Sequence, residues 1–430
     1  MIDIKLIQAK PEKFEKAAKD KGFEVDLHEL LRLYRILRDS KKRLQDITTE
    51  KNQIGKAIPQ LSGEAKQSAL EQLAKLKKDE SAFQTRVKAE QPKFDELMYL
   101  VPQPADDDVP LGKDDTENVE IRREGEIRQF DFEPKDHVQL GLDLGIIDIE
   151  RGVKLAGTRN YFLKGDGTLL HWAVLQFAMD CMVKKGYVPL SVPLLMRDEV
   201  MRGTGFFPGF EEQTYRMEKD QLNLAGTAEV PLTAYHMGEI LKAEELPLKY
   251  VALSSCFRRE AGAAGKDTYG LYRIHQFDKV EQVVICKNSV EQSNKFHEEI
   301  LANAEGIMRA LELPYRVSNV CTGDLGRGQA KKFDIEAWMP SRNNYCETHS
   351  ASKFYEFQAR RMNLRYKESK SQIANRKSQI NFCHTLNNTV IASPRILIPI
   401  LELYQNADGS ITIPKVLRPY MGGKKKTVKR

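Results

Sequence analysis

A chain of 430 residues that is 41% hydrophobic and 30% charged can bury real cores and has length for two or three domains, which excludes global disorder. Its 67 Lys+Arg against 61 Asp+Glu leave a net charge of +6, too small by itself to argue for a nucleic-acid partner. The start Met1-Ile2-Asp3-Ile4-Lys5-Leu6 is not a signal or transit peptide, no run of 18 apolar residues exists, and Cys181, Cys256, Cys286, Cys321, Cys346 and Cys383 form no Cys-x-x-Cys, so a membrane span, a disulfide framework and zinc are not expected and the cytoplasm is the expected location.

Residues 27–100 hold only two Gly and two Pro. Leu30, Leu33, Leu37, Leu44, Ile47, Ile54, Ile58 and Leu61 recur at steps of three, four and seven. Leu70, Leu73, Leu76, Phe83, Val87, Phe94, Leu97 and Val101 make a second series, with the turn signal Pro59-Gln60-Leu61-Ser62-Gly63 between them. The spacing predicts two long helices, about 27–98, folded back on each other with one apolar seam each. This stretch carries 15 Lys+Arg against 11 Asp+Glu, with Arg32, Arg35, Arg38 and Lys42 close together. Such a face is either a solvated coiled-coil surface or a probe for phosphates.

Pro102 to Gly112 combines Pro, Gly and the acidic run Asp106-Asp107-Asp108, and 102–115 reads as a linker. Beyond it, 116–421 reads as one large α+β domain, with helices expected near 169–186, 228–244 and 289–311. A repeat of Lys-Ser-Gln-Ile at 370–373 and 377–380 suggests a surface hairpin, and 422–430 is a basic tail expected to be disordered.

Residues 249–260 and 271–287 read as two strands, rich in β-branched and aromatic residues, joined by a long loop bracketed by Gly262, Gly265 and Gly270. Alternation puts Ala252, Ser254, Cys256, Arg258 and Glu260 on one face, and Arg273, His275, Phe277, Lys279 and Glu281 on one face of the second strand. Two arginines suit phosphates and Glu281 suits an ammonium or hydroxyl. The spacing alone is equally compatible with a charged outer face.

The run Phe257-Arg258-Arg259-Glu260-Ala261-Gly262, with Gly265-Lys266-Asp267-Thr268 and Arg273-Ile274-His275-Gln276-Phe277-Asp278-Lys279-Val280-Glu281, resembles motif 2 of seryl-tRNA synthetases, which are class II aminoacyl-tRNA synthetases. Gly186-Tyr187 with Val192-Pro193 resembles motif 1, and the paired helices resemble that family's tRNA-binding arm. Phe357-Gln358-Ala359-Arg360-Arg361-Met362 and Arg418-Pro419-Tyr420-Met421-Gly422-Gly423 also fit, so the likeness spans essentially the whole chain.

The resemblance implies an α+β architecture: an antiparallel two-helix coiled-coil arm in a tRNA-binding region 1–101, and a class II catalytic domain whose antiparallel sheet is flanked by helices. It implies ATP and L-serine as substrates, Mg²⁺ as the ion, tRNA(Ser) and also tRNA(Sec) as partners, and a homodimer. Arg258 would grip the ATP α-phosphate, Glu260 and the backbone near Ile274 would hold adenine over Phe277, and Arg273 would reach the pyrophosphate. Thr227, Ala228, Glu229 and Glu281, with Arg258, Asn387 and Thr389, would hold serine. Tyr345 to Ser350 matches the element for ATP and its metal, with Glu347 and Ser350 as hard-oxygen ligands. Arg259, Thr348 and His349 lie within these ATP-contacting segments, and His349 is assigned neither metal nor catalysis.

Asn387 to Arg395 stands where the family's motif 3 is commonly glycine-rich, and none of those glycines is present. Ser393-Pro394 is expected to start the next helix as N-cap and N1, with Arg395 in its first turn facing ATP. Arg258, Glu281 and Arg395 are the expected catalytic residues. Two other classes remain: a relative that charges a carrier protein, and a non-catalytic RNA-binding relative. The arm and tail speak against the first, and retention of Arg258, Glu281, Glu347 and Arg395 against the second.

Overall fold

The computed structural model describes residues 1–261, 269–368 and 380–428, so the expected hairpin at 370–380 falls almost wholly outside the described residues, as do Gly262 and Gly265. The chain divides into two compact units, Ile2–Pro102 and Gln103–Arg430 with Met1.

In the first unit, helix α1 (Leu27–Ala57) and helix α2 (Gly63–Leu100) pair antiparallel. Asp26 caps α1 by accepting from the Glu29 amide at 2.8 Å. Contacts between the helices fix their register: Tyr34 stacks near Phe94, Lys41 donates to Gln91 at 2.7 Å, and Lys51 pairs with Glu80 at 2.7 Å. Leu30, Leu33, Leu37, Ile47 and Leu76 are buried along the seam, whereas Leu70 is 44% exposed, so the seam opens near the turn.

An eight-stranded sheet organises the second unit. Its strands are β1 (Val119–Glu124), β2 (Val188–Pro189), β3 (Leu248–Phe257), β4 (Gln276–Cys286), β5 (Tyr315–Asn319), β6 (Lys331–Met339), β7 (Asn344–Tyr355) and β8 (His384–Ser393). Their order is β1-β5-β6-β7-β8-β4-β3-β2, antiparallel except for the β2–β3 pair. The other helices used below are α3 (His137–Asp143), α4 (Asp166–Lys184), α5 (Val290–Ala310) and α6 (Leu397–Leu403). One face of the sheet, with Val280, Val284, Val317 and Ile335, packs against Val174 and Ala178 of α4, Ile300, Ala304 and Met308 of α5, and Ile398 and Leu401 of α6. Strand periodicity then turns the intervening residues to the opposite face.

Several elements differ from the sequence reading. The helix expected at 228–244 is only Glu229–Thr233 with a short 3₁₀ turn, because Gly238 at φ +83° breaks the chain direction and Ile240–Lys242 pairs as a strand with Arg365–Lys367. The strand expected from 271 begins at Gln276, since Leu271 bonds to α3 and Arg273 and His275 bond to Arg159. Ser393 is not an N-cap: it ends β8, its hydroxyl meets His171 Nδ1 at 2.8 Å, and α6 starts at Leu397, beyond Arg395.

The stretch 102–115 is not a free tether. Asp106 pairs with buried Lys353 at 2.6 Å, and Val109 packs on Val320 and Leu325. The described part of the tail expected to be disordered is held in place, because Lys426–Thr427 pairs with Ile411–Thr412 and both Lys424 and Thr427 bind the Asp166 carboxylate. Among the described residues, no helix is long and apolar enough to cross a membrane.

Candidate active site

A cavity of about 510 Å³ lies over the polar face of the sheet. Two bulges decide what faces it. On the β4–β8 ladder, Val280 pairs with Ile391 but Glu281 pairs with Thr389, so Val390 is the extra residue. That shift puts the Thr389 hydroxyl opposite Glu281. On the β6–β7 ladder, Ile335 pairs with His349 but Glu336 pairs with Glu347, leaving Thr348 as the extra residue. Glu347 and Ser350, three apart in sequence, thereby share the cavity face, while His349 turns into the core with Ile335.

One end of the cavity is small and acidic. Glu281 is fully buried and receives three donors: Lys279 Nζ at 2.6 Å, Asn387 Nδ2 at 3.0 Å and Thr389 Oγ1 at 3.4 Å. Glu229 accepts from Asn387 Nδ2 at 3.1 Å and from Gln358 Nε2 at 2.9 Å. Burial, followed by repulsion from Glu281, pushes the Glu229 carboxyl up to about 7. The Thr227 hydroxyl accepts from the Glu229 amide at 3.1 Å and from Lys279 Nζ at 2.7 Å, so it serves both the helix start and the pocket. Asn387 Oδ1 is buried with no hydrogen-bond partner among the described residues. An acceptor in that position suits a ligand donor, and a primary ammonium offers three.

The other end is cationic. Arg258 donates from Nε to Gly226 O at 3.3 Å, and its guanidinium lies over the Phe277 ring at 5.2 Å. Arg273 pairs with Glu260 at 2.9 Å. Arg395 donates to Tyr272 O at 3.1 Å and to Glu347 O at 3.2 Å. The guanidiniums of Arg342 and Arg395 lie over the Tyr272 ring, 4.1 and 4.3 Å from its centre. Desolvation raises the Glu347 carboxyl, but Arg395, Lys332, Arg258 and Arg273 outweigh it and hold the group below its ordinary range. Glu347 and Ser350 are hard-oxygen donors on one face. Among the described residues no group of three His, Cys, Asp or Glu is placed to hold a metal ion.

Of the residues singled out in the sequence, Thr227, Glu229, Arg258, Glu260, Arg273, Ile274, Phe277, Glu281, Glu347, Thr348, Ser350, Asn387, Thr389 and Arg395 line this cavity. Ala228, Arg259 and His349 are not part of the lining. Ala228 is fully buried, and His349 Nδ1 is held by Thr348 Oγ1 at 2.8 Å. Arg32, Arg35, Arg38 and Lys42 are exposed on α1, where Arg32 pairs with Glu29 at 2.6 Å and Arg38 with Asp39 at 2.8 Å. Such exposed pairs contribute little, about 0–1 kcal/mol each.

Lys279, Tyr272, Lys332 and Gln358 were not singled out for this site. Alternation already put Lys279 on the Glu281 face, which was the available signal. Tyr272 and Lys332 line the cavity, and Gln358 is placed by the contact of its helix with the Glu229 turn.

Residues 211–404 match the class II tRNA synthetase core domain (G, H, P, S and T), and residues 1–104 match the seryl-tRNA synthetase N-terminal domain. The chain is 44% identical to a serine–tRNA ligase of Deinococcus radiodurans over 99% of its own length and 98% of that protein. It is 42% identical to the serine–tRNA ligase of Fervidobacterium nodosum, covering 98% of each. Among solved structures, the seryl-tRNA synthetase of Pyrococcus horikoshii complexed with ATP superposes with a TM-score of 0.92 at 38% identity, covering all of both chains. An antiparallel sheet with an arginine-lined cavity on one face, in this strand order, is the core of a class II aminoacyl-tRNA synthetase, so the protein is an aminoacyl-tRNA ligase. Within that class, the chain belongs to the seryl-tRNA synthetase family.

Proposed function

We propose that this enzyme activates L-serine with ATP and passes the seryl group to tRNA(Ser), and to tRNA(Sec) where that tRNA is present, acting as a homodimer in the cytoplasm. The observation that carries the reading is one cavity with two chemically opposite ends. Glu281, Glu229 and the open Asn387 Oδ1 suit an ammonium and a short hydroxyl. Arg258, Arg273 and Arg395 suit a polyphosphate. The family membership and the ATP complex of the Pyrococcus horikoshii relative support the same assignment.

The chemistry follows from the residues. The serine carboxylate attacks the α-phosphorus of ATP, forming seryl-adenylate and releasing pyrophosphate. Arg258 acts electrostatically on both Glu229 and Glu347, and its guanidinium, held by Gly226 O, would neutralise charge that grows on the α-phosphoryl oxygens. Arg273 and Arg395 receive the departing pyrophosphate. A terminal hydroxyl of tRNA then attacks the carbonyl of the adenylate, the acyl–phosphate bond breaks, and AMP leaves with the hydroxyl proton as the seryl ester forms. No protein nucleophile is needed, and positioning supplies most of the rate. Glu347 and Ser350 would hold Mg²⁺, which would neutralise the phosphates of bound ATP. The exposed arginines of α1 are the proposed contacts for the tRNA backbone.

Specificity rests on the acidic end. Alanine leaves Glu281 and Thr389 without the hydroxyl they are set to meet, and a site built for a hydroxyl rejects such an analogue by up to ~10⁴–10⁵-fold. Serine-dependent pyrophosphate exchange, run against alanine, threonine and cysteine, tests the reading. Exchange with none of them refutes activation, and equal exchange with alanine refutes the role given to Glu281 and Thr389. Charging of purified tRNA separates this function from transfer to a carrier protein.

A further inference from the structure

The connection from β3 to β4 returns to the cavity through Tyr269–Ile274, of which Leu271, Tyr272, Arg273 and Ile274 form part of the lining. This return is not in a strand. Its later residues are held by Arg159, which donates from Nη1 to Arg273 O at 3.1 Å and accepts at its carbonyl from the His275 amide at 3.3 Å. Its first residues are held by the start of α3. The Leu271 amide donates to His137 Nε2 at 3.2 Å. Accepting there obliges the ring to carry its proton on Nδ1, and that atom lies 2.7 Å from Glu402 Oε1. Two residues earlier in the return, the Tyr269 hydroxyl reaches both carboxylate oxygens of Asp136, each at 3.2 Å. Between these contacts Gly270 takes φ +74°, and a Cβ there would lie 2.1 Å from His137 Nε2. The fit admits only glycine.

Glu402 is fully buried on α6, seven residues after Arg395. Besides the imidazole it accepts from the His137 amide at 3.1 Å, the Ser341 amide at 2.9 Å and the Ser341 hydroxyl at 2.7 Å. Ser341 stands in the turn between β6 and β7, a few residues before Glu347. Arg395 closes the circuit by donating to both Tyr272 O and Glu347 O. One buried carboxylate therefore ties α3, the β6–β7 turn and the helix that follows Arg395, and through His137 it reaches the return loop. Neither His137 nor Glu402 lines the cavity.

We propose that His137 and Glu402 are positioning residues of the nucleotide site: through Leu271 and Tyr272 they set the adenine-side backbone and Arg273 relative to Arg395 and Glu347 before ATP arrives. The proposal deepens the reading above and rests on it for the identity of the substrate. Pre-setting this loop removes ordering cost from ATP binding and leaves the serine end untouched. A pair that only stabilised the fold would weaken both substrates alike.

The test uses the full-length enzyme. His137→Phe keeps the ring volume and removes both nitrogens, whereas His137→Gln restores one acceptor for Leu271 and one donor for Glu402. The Kd of ATP is measured by calorimetry without serine, and KM is measured separately for ATP and serine by pyrophosphate exchange. His137→Phe should weaken ATP about tenfold, the scale of one lost buried hydrogen bond, with the serine KM within twofold of wild type. His137→Gln should recover most of the loss. Tyr269→Phe removes only an exposed hydroxyl, so folding is not at stake, and it should weaken ATP two- to threefold. Equal weakening of ATP and serine without rescue by glutamine overturns the proposal. So does unchanged ATP binding in Tyr269→Phe, which decides the matter if His137→Phe does not fold. A wild-type protein that binds ATP yet exchanges nothing with serine refutes the substrate reading alone, and the clamp is then judged on the ATP Kd. A wild-type protein that does not bind ATP overturns both.

Discussion

Replacing Glu281 by glutamine changes one atom at the centre of the proposed serine pocket. The carboxylate takes an ion-pair bond from Lys279 at 2.6 Å and bonds from the uncharged donors Asn387 at 3.0 Å and Thr389 at 3.4 Å. An amide offers one oxygen and one NH₂. Wherever it turns, the NH₂ meets a donor: Lys279 on one side or Asn387 on the other. Lys279 also loses its charged partner and keeps only neutral oxygens among the described residues, Thr227 Oγ1 at 2.7 Å and, in one orientation, the amide oxygen. Removing one partner of a buried pair costs about 3–5 kcal/mol, a large part of a typical folding stability of about 5–15 kcal/mol. The variant should therefore fold but melt several degrees lower. For activity, losing a contact worth about 3–4 kcal/mol in the transition state lowers kcat/KM for serine by roughly 10²–10³-fold. The ATP Kd should stay within about twofold, because Glu281 sits at the other end of the cavity. Adding Lys279→Met to Glu281→Gln removes the stranded cation and should restore part of the melting temperature without restoring activity. A folded Glu281→Gln enzyme whose kcat/KM for serine lies within tenfold of wild type refutes the pocket assignment.

Arg258→Ala should leave the fold intact and lower pyrophosphate exchange by at least about 10³-fold, as for loss of a preorganised charge at a transferring phosphoryl group; near-normal exchange refutes the phosphate role. The Glu229 carboxyl stands at about 7 and is neutral below that pH, when it cannot pair with an ammonium. The serine KM should therefore rise as pH falls below 7, approaching tenfold per unit, and a flat KM between pH 6 and 8 refutes the contact. Deleting 35–92 and joining the ends with a short glycine linker is feasible because Tyr34 and Phe94 stack across the helix pair. Serine activation should survive and tRNA charging should be lost, whereas retained charging shows that the arm is not the tRNA contact.

What the sequence determined by itself is what local periodicity encodes. Steps of three, four and seven specify two helices and the seam at Leu30, Leu33, Leu37 and Ile47, because helical spacing needs no distant partner. Alternation by two placed Lys279 beside Glu281 and both opposite the core residues Val280 and Val284. The +6 charge also resolves by position: residues 27–100 contribute +4 and residues 424–430 contribute +5, so the remainder nets −3.

Tertiary structure decided the rest, because each remaining feature depends on a neighbour remote in the chain. The bulges at Val390 and Thr348 exist only against β4 and β6, yet they choose Thr389, Glu347 and Ser350 for the cavity and turn His349 away. The 228–244 segment has helical composition, but its second half gains more by pairing with Arg365–Lys367 than by continuing a helix past Gly238. Ser393-Pro394 carries a local helix-start signal that was overridden by the last rung of β8 and the bond to His171. The acidic run at 106–108 reads as solvated linker until Lys331 and Lys353, more than 200 residues later, give its carboxylates buried partners. Hydrophobic spacing fixes where a chain buries itself; which charges then meet is set by contacts between segments that no local pattern encodes.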